Sequence, residues 1–313
     1  MNNHILNKEV QNFINTNLKS DVTKLILKGS PFEEVSIQEI AAQIMAKNSC
    51  EKKLSTWFNT ENIYYPNKLN IEQTSSEITA TYKSDLVSGE TLIDITGGFG
   101  VDAYFFSQKV AKITHCEIAE ELSAIVSHNF KQLQVKNITT YRGDGIEFLE
   151  KSKEKFEWIY ADPSRRNDAK GKVFLLEDCL PNIPENLDLL FQKTNNILLK
   201  VSPILDITSA INELKFVKEI HVVAIENEVK ELLFLLQNNY MQNIDIKTIN
   251  FNKEEIQVFN FSLNEEVSAT YSEPKKYLFE PNSAILKAGA FQQISSHLKI
   301  DKLHQHSHLY TSD

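Results

Sequence analysis

The stretch that most constrains this chain is Thr91–Ser107, TLIDITGGFGVDAYFFS. A short apolar run, Leu92–Ile95, carries an acidic residue, Asp94, inside it. Glycines follow at positions 97, 98 and 100, and then a segment able to wind as a helix. Strand, glycine turn and helix in that order form a nucleotide-binding corner. The glycines let a ligand approach the backbone, and the helix N-terminus offers unpaired N–H groups. A corner of this kind needs a sheet behind it, so the rest of the chain must supply strands.

The downstream pattern does so. Strands are predicted at Leu92–Ile95, Lys112–Cys116, Ile138–Tyr141, Phe156–Ala161, Asn196–Val201 and Glu219–Ile225. Helices are predicted between and after them, at about Val101–Lys109, Ala119–Leu133, Gly145–Lys151, Leu187–Gln192, Ile207–Leu214 and Val229–Leu236. Repeated strand–helix units of this length give an α/β fold, a mostly parallel sheet covered on both faces. Two late runs, Ile244–Phe251 and Glu255–Leu263, read as a hairpin across Asn252-Lys253 that adds antiparallel strands at one edge.

Residues 1–70 read as a helical region. Leu6, Val10, Phe13, Ile14 and Leu18 recur at helical spacing, and Asp21 is placed to cap the next turn. Ser36 and Glu39 form a capping-box pattern that opens the longest helical stretch, Ile37 to about Phe58. It carries Lys47, Lys52 and Lys53 beside Trp57 and Phe58, which reads as a solvated face over a packed one, with RNA contact as the alternative. Leu69–Ser76 is dense in small polar residues. It reads either as a connecting turn, with Ser75 and Ser76 capping the helix from Glu77, or as a lid whose hydroxyls and Gln73 amide reach a bound nucleotide. Residues 71–263 form the sheet-bearing domain. Residues 264–313 form a small α+β extension built from Tyr277–Pro281, Ala284–Phe291 and His304–Tyr310. The ending Thr311-Ser312-Asp313 has no charged helical finish, and suggests a chain cut short.

Composition excludes some roles. A net charge of −9 over 313 residues gives no global attraction to nucleic acid, so any such site is a local basic patch. Cys50, Cys116 and Cys179 lie far apart, as expected for reduced, buried thiols in a cytoplasmic protein. There is no apolar run long enough to span a bilayer and no secretory signal. His304, His306 and His308 alternate, but no carboxylate or cysteine lies in register with them, and no metal is expected.

The chemistry turns on acidic residues at strand ends. Gly98-x-Gly100-x-x-Ala103, with Glu117 ending the next strand, suits NAD and S-adenosylmethionine equally. Asp94 suits a ligand carrying an ammonium group and is out of place beside a pyrophosphate. Asp144, after the third strand, can accept the exocyclic amine of adenine. Asp162-Pro163-Ser164-Arg165-Arg166 follows the fourth strand, and open α/β sheets bind ligands outside the carboxyl ends of their strands. Arg165 and Arg166, with Lys170 and Lys172, make a basic patch suited to a phosphate or carboxylate, or else pair with Glu117 or Asp144. Lys200 ends the fifth strand, either facing the substrate cleft or paired with Asp162. Lys275, Lys276 and Lys287 read as solvated lysines.

Asp94–Gly100, Glu117, Asp144 and Asp162-Pro163 resemble the successive motifs of class I S-adenosylmethionine-dependent methyltransferases, over about residues 70 to 262. Thr96 stands where many members carry their first glycine. Asp-Pro-Ser-Arg-Arg replaces the family's Asp/Asn-Pro-Pro-aromatic motif, which argues against a base clamped for exocyclic-amine methylation. Glu72–Ser76, Asp162–Arg166, Lys200–Pro203, Asn227–Glu231 and Glu280–Gly289 resemble a narrower bacterial group that carries ferredoxin-like and THUMP-like modules after the catalytic domain. The resemblance implies a Rossmann-like sheet with a helical N-terminal segment and a small ferredoxin-like extension. It implies S-adenosylmethionine as cofactor. Gly98, Gly100 and the backbone of Thr96 lie against its methionine part, and Asp94 lies on its ammonium. Glu117 takes the ribose, Ile118 packs on the adenine, and Asp144 takes the adenine amine, with Gln73 and Ser75 alongside. Asp162, Pro163 and Lys200 line the reacting centre, and Arg165 and Arg166 meet the substrate. RNA is the substrate implied by analogy. A protein or small-molecule substrate, and a non-catalytic nucleic-acid-binding module on the same fold, are the alternatives.

Overall fold

A computed structural model describes residues 1–165 and 175–313. Its contacts divide the chain into two units, Met1–Trp158 and Ile159–Asp313.

The first unit opens with helices: α1 (Lys8–Thr16), α2 (Val22–Lys28), α3 (Ile37–Lys53), α4 (Ser55–Asn59), α5 (Lys68–Gln73) and α6 (Glu77–Ser84). Then come β1 (Gly89–Asp94), α7 (Val101–Phe106), β2 (Val110–Glu117), α8 (Glu120–Gln132), β3 (Ile138–Arg142) and α9 (Gly145–Lys151). The predicted capping box is present at Ser36 and Glu39. Strands β1, β2 and β3 are adjacent and parallel, with Asp94 opposite His115 and Glu117 opposite Arg142. Leu92, Ile93 and Ile113 are fully buried between the layers. Trp57, also fully buried, packs its ring 5.0 Å from Tyr104 and 6.1 Å from Phe99, so the N-terminal helices are anchored on the glycine corner itself.

Two expectations for this unit are corrected. The predicted helix from Ile37 to Phe58 breaks at Leu54, where φ is −136° and ψ is 64°. The break is supported from outside. Glu77 accepts from the Thr56 N–H at 2.6 Å, a donor that a continuous helix would have paired internally, and from the Ser55 hydroxyl at 3.0 Å. The polar stretch around Leu69–Gln73 is helical rather than an open turn. Asn67 caps its start, Ile71 is buried, and Lys53 Nζ donates to the carbonyls of Ile71 and Glu72 near its end.

The second unit runs β4 (Trp158–Ala161), β5 (Ser164–Arg165), β6 (Cys179–Leu180), α10 (Ile183–Lys193), β7 (Asn196–Val201), α11 (Ile207–Glu213), β8 (Val217–Ile225), β9 (Glu228–Gln237), β10 (Asp245–Phe251) and β11 (Ile256–Ser262). The last part holds β12 (Tyr277–Phe279), α12 (Ser283–Ala288), α13 (Phe291–Leu298), β13 (Asp301–Lys302) and β14 (Tyr310–Ser312). Its main strands lie in the order β11-β10-β8-β9-β7-β4, and the small C-terminal sheet in the order β12-β14-β13. The predicted edge hairpin is β10–β11, antiparallel within itself, but β10 runs parallel to β8, so only β11 is added as an antiparallel strand.

The main correction here is β9, predicted as the helix Val229–Leu236. It is a strand, antiparallel to both β8 and β7 and inserted between them. Leu232, Leu233, Phe234, Leu235 and Leu236 are buried, so the run shows no alternation of the kind that marks a half-exposed strand, and leucine favours helix. The deciding residues are Glu226 and Asn227. Both have positive φ, 47° and 62°, the geometry of a two-residue hairpin turn, without the Asn-Gly pair that announces one. The doubly wound dinucleotide-binding order has no such antiparallel insertion. In the C-terminal part, the alternating His304, His306 and His308 precede the strand β14, which begins at Tyr310. His308 stacks on Phe291, with centroids 3.9 Å apart. Cys50, Cys116 and Cys179 are free and buried. Among the described residues no helix is long and apolar enough to cross a membrane.

Because Glu226 is strained at positive φ, Glu226→Gly should stabilise the protein by about 0.5–1 kcal/mol, even with loss of the exposed Lys253 ion pair. Urea unfolding checks this through the midpoint at unchanged m-value.

Candidate cofactor corner and strand-end carboxylates

The corner after β1 is built by sterics first. A Cβ on Gly97 would lie 2.4 Å from the Cys116 carbonyl oxygen and 2.7 Å from Cε1 of His115. One on Gly100, at φ 77°, would lie 2.6 Å from the Phe130 ring. These two glycines are demanded by packing. Gly98 is different: at φ 61° its Cβ would meet nothing nearer than the Thr96 oxygen at 3.9 Å, so its outer side is open. Under the turn lies His115, fully buried, edge-on to Phe130 at 5.6 Å, with its pKa lowered by burial to about 4. Its ring is therefore neutral at physiological pH. His115 did not stand out as a site residue in the sequence, because its role needs the turn packed above it.

Three carboxylates reach the same edge from adjacent strands. Asp94, 1% exposed, accepts from the Thr96 N–H at 3.0 Å and its hydroxyl at 3.2 Å, which gives the bulkier residue at that position a use. Glu117 accepts from the N–H of Gly98 at 2.8 Å and of Ala119 at 2.7 Å. Burial raises its pKa, and the backbone donors at Ala119, Gly98 and Ile118 oppose this in part. Asp144 caps α9, accepting at Oδ1 from Ile146 N–H at 2.7 Å. It is drawn to the corner by Gly145, where any Cβ would sit 2.5 Å from Ile95. Beside Glu117 the Ile118 side chain is 71% exposed, an apolar surface offered to solvent at a strand end.

The Glu72–Ser76 segment meets the corner through a buried network. Ser75, 5% exposed, donates to Asp102 Oδ2 at 2.9 Å and accepts from Lys83 Nζ at 3.1 Å. Lys83, fully buried, pairs with Asp102 Oδ1 at 3.3 Å. Asp102 sits in the first turn of α7, so this network ties α6 to the helix that leaves the glycines. The Ser75 hydroxyl is thus engaged inward, Ser76 is the cap of α6, and Gln73 is exposed at the end of α5.

In the second unit, Asp162 and Pro163 follow β4, and Lys200 lies on β7. Lys200 Nζ forms a short ion pair with Asp162 Oδ2, with side-chain exposures of 12% and 35%. Of the two expectations for Lys200, the pair is the one formed. Pro163 is buried. Arg165 lies in β5, which pairs with β6. Arg166, Lys170 and Lys172 lie outside the described residues. His304, His306 and His308 form no metal-binding group among the described residues.

A family model for a ferredoxin-like domain matches residues 277–313. No curated protein matches the chain. Among solved structures, a candidate methyltransferase from Porphyromonas gingivalis W83 is 31% identical, with a TM-score of 0.87 over 97% of this chain and 77% of that one. The chain belongs to the family of this candidate methyltransferase. Two further solved structures match about half of this chain. One is a candidate methyltransferase from Streptococcus mutans in complex with SAH (13% identity, TM-score 0.38, 51% of this chain and 96% of that one). The other is an rRNA methylase from Streptococcus thermophilus (14% identity, TM-score 0.38, 53% and 95%).

Within this methyltransferase fold the two buried charge systems make separate predictions. Asp102→Ala leaves Lys83 buried without its carboxylate, and should cost about 3–5 kcal/mol, measured by chemical denaturation. Glu117 makes a pH prediction. Its folded pKa lies above its ordinary value of 4.5, so burying its charged form destabilises the fold as pH rises through that window. Glu117→Gln should therefore flatten the pH dependence of stability just above 4.5, seen in thermal melts across that range.

Proposed function

We propose that this protein transfers a methyl group from S-adenosylmethionine to RNA in the cytoplasm. The observation that carries the cofactor reading is the set Asp94, Glu117 and Asp144 on neighbouring strand ends around the open side of Gly98. Three carboxylates repel the pyrophosphate of a dinucleotide and attract a ligand bearing an ammonium and a sulfonium. The same residues offer a place for each part of that ligand. Asp94 receives the ammonium, Glu117 the ribose hydroxyls, exposed Ile118 the adenine face, and Asp144 the adenine amine. Family membership supports this assignment. The three free, buried thiols fit a reducing compartment.

When bound, the cofactor supplies an electrophilic methyl carbon on sulfur. The chain's own part is to align and to manage charge. The Lys200 ammonium fixes the Asp162 carboxylate at the end of β4, where it can orient an acceptor atom and take its proton. Alignment of the acceptor with the carbon–sulfur bond lowers the barrier by up to about 7–11 kcal/mol. The RNA reading is supported by the Asp162-Pro163-Ser164-Arg165-Arg166 sequence, whose guanidiniums suit phosphate, and by likeness to a group with RNA-modification modules.

Isothermal titration tests the cofactor: S-adenosylmethionine should bind, NAD should not, and Asp94→Asn should weaken binding at least tenfold. Binding of NAD alone would overturn the reading. A labelled-methyl assay on RNA from cells lacking the protein tests the rest. Asp162→Asn should lose at least 100-fold in rate while cofactor affinity holds, and equal labelling by wild type and variant would remove Asp162 from the mechanism.

A further inference from the structure

Besides Lys302, which donates to the Gln305 carbonyl, a second buried cation lies outside the corner and its chemistry. Lys47 on α3 is 8% exposed, and burial pulls its pKa down. Its Nζ donates to the neutral Asn15 side chain at 2.8 Å and lies 5.4 Å from the centroid of the Phe58 ring. Among the described residues no carboxylate pairs with it. Lys83, buried to a similar degree, is matched by Asp102. A desolvated ammonium held by an amide and a ring keeps N–H capacity for an anion and loses little by binding one.

The surroundings of that ammonium form a cavity of about 590 Å³, within the roughly 300–1,000 Å³ typical of ligand sites. Asn15, Lys47 and Phe58 all line it, together with Lys8 and Asn12 of α1. Lys8 is exposed and adds a second positive charge, while Glu61 brings one exposed carboxylate to the lining. Phe58 is half-exposed and presents a ring on which a base can stack. Asn12 supplies an amide, the group that pairs with base edges. Cation, aromatic face and amide together match a nucleotide better than a bare anion, which has no use for the ring.

We propose that the cavity between α1, α3 and α4 binds one nucleotide unit of single-stranded RNA, its phosphate on Lys47 and Lys8 and its base on Phe58. This rests on the RNA reading above and gives it a second contact area on the N-terminal helices. The basic, aromatic-edged stretch visible in the sequence, here split into α3 and α4, then serves both roles considered for it: Ile40 and Ile44 pack, and Lys47 of α3 with Phe58 of α4 faces a ligand.

The test is fluorescence anisotropy with a labelled single-stranded RNA 12-mer of mixed sequence, on the full chain. Lys47→Met keeps the volume and should weaken binding about tenfold, lowering the slope of log affinity against log salt by about one. Lys47→Arg should restore both. Phe58→Leu should weaken binding about fivefold or more with the slope unchanged. Thermal melting of each variant confirms folding, and if Lys47→Met fails to fold, Phe58→Leu carries the test. Competition by 5′-AMP that depends on Lys47 supports the site with a free nucleotide as its source. Equal competition by inorganic phosphate overturns the base contact. Folded variants that bind the 12-mer as wild type does overturn the site and leave the RNA reading intact. A wild type that binds neither the 12-mer nor 5′-AMP overturns both, while the S-adenosylmethionine titration stands or falls by itself.

Discussion

The first unit depends on a carboxylate taken out of water and held by backbone. Glu117 ends β2 and grips the N–H of Gly98 on one side and of Ala119 on the other. The glycine turn is thereby fixed to the neighbouring strand through a side chain rather than through the turn's own sequence. Charge-assisted bonds of this kind are about twice as strong as neutral ones, which offsets part of the cost of burying the carboxylate. The same grip places an acidic group where a ligand would meet the exposed Ile118 and the open side of Gly98. Structural support and ligand recognition are thus assigned to one residue.

Much of this was legible in the sequence because it obeys short-range rules. The strand, the glycines and the helix of Thr91–Ser107 are local. So are the acidic residues at successive strand ends, since each lies within an apolar run or no more than three residues beyond it. The capping box at Ser36 and Glu39 is of the same kind. The division of labour among the glycines was not legible. Gly97 and Gly100 are required by His115, Cys116 and Phe130, which come from later in the chain, and only Gly98 is left to face a ligand. The same holds for Ser75. Its hydroxyl reads as available in sequence, yet Asp102 and Lys83 engage it across the fold.

The misread elements have a common cause. The α3–α4 break exists because Glu77 arrives to cap α4, and β9 is a strand because two residues of positive φ turn the chain back along β8. In both places local preference favours helix, by leucine content or by periodicity, and a long-range partner prevails. Lys200 and Asp162 illustrate the opposite outcome. Their pairing was one of two readings, and the fold selected it by placing β7 within reach of the end of β4.

The position of β9 has a consequence for how the second unit is made. Strands β7 and β8 each pair with β9, yet β9 leaves the ribosome after both. Until Gln237 has emerged, β7 and β8 both lack the neighbour that separates them: Leu198 and Leu199 have a ladder only toward β4, and Val222 and Val223 have none. The sheet in this unit is closed from its middle, by its most leucine-rich strand, late in synthesis. Non-local closure of that kind is slow and exposes apolar edges while it waits. The hairpin turn at Glu226-Asn227 shortens the wait, because it delivers β9 alongside β8 as soon as the strand is complete.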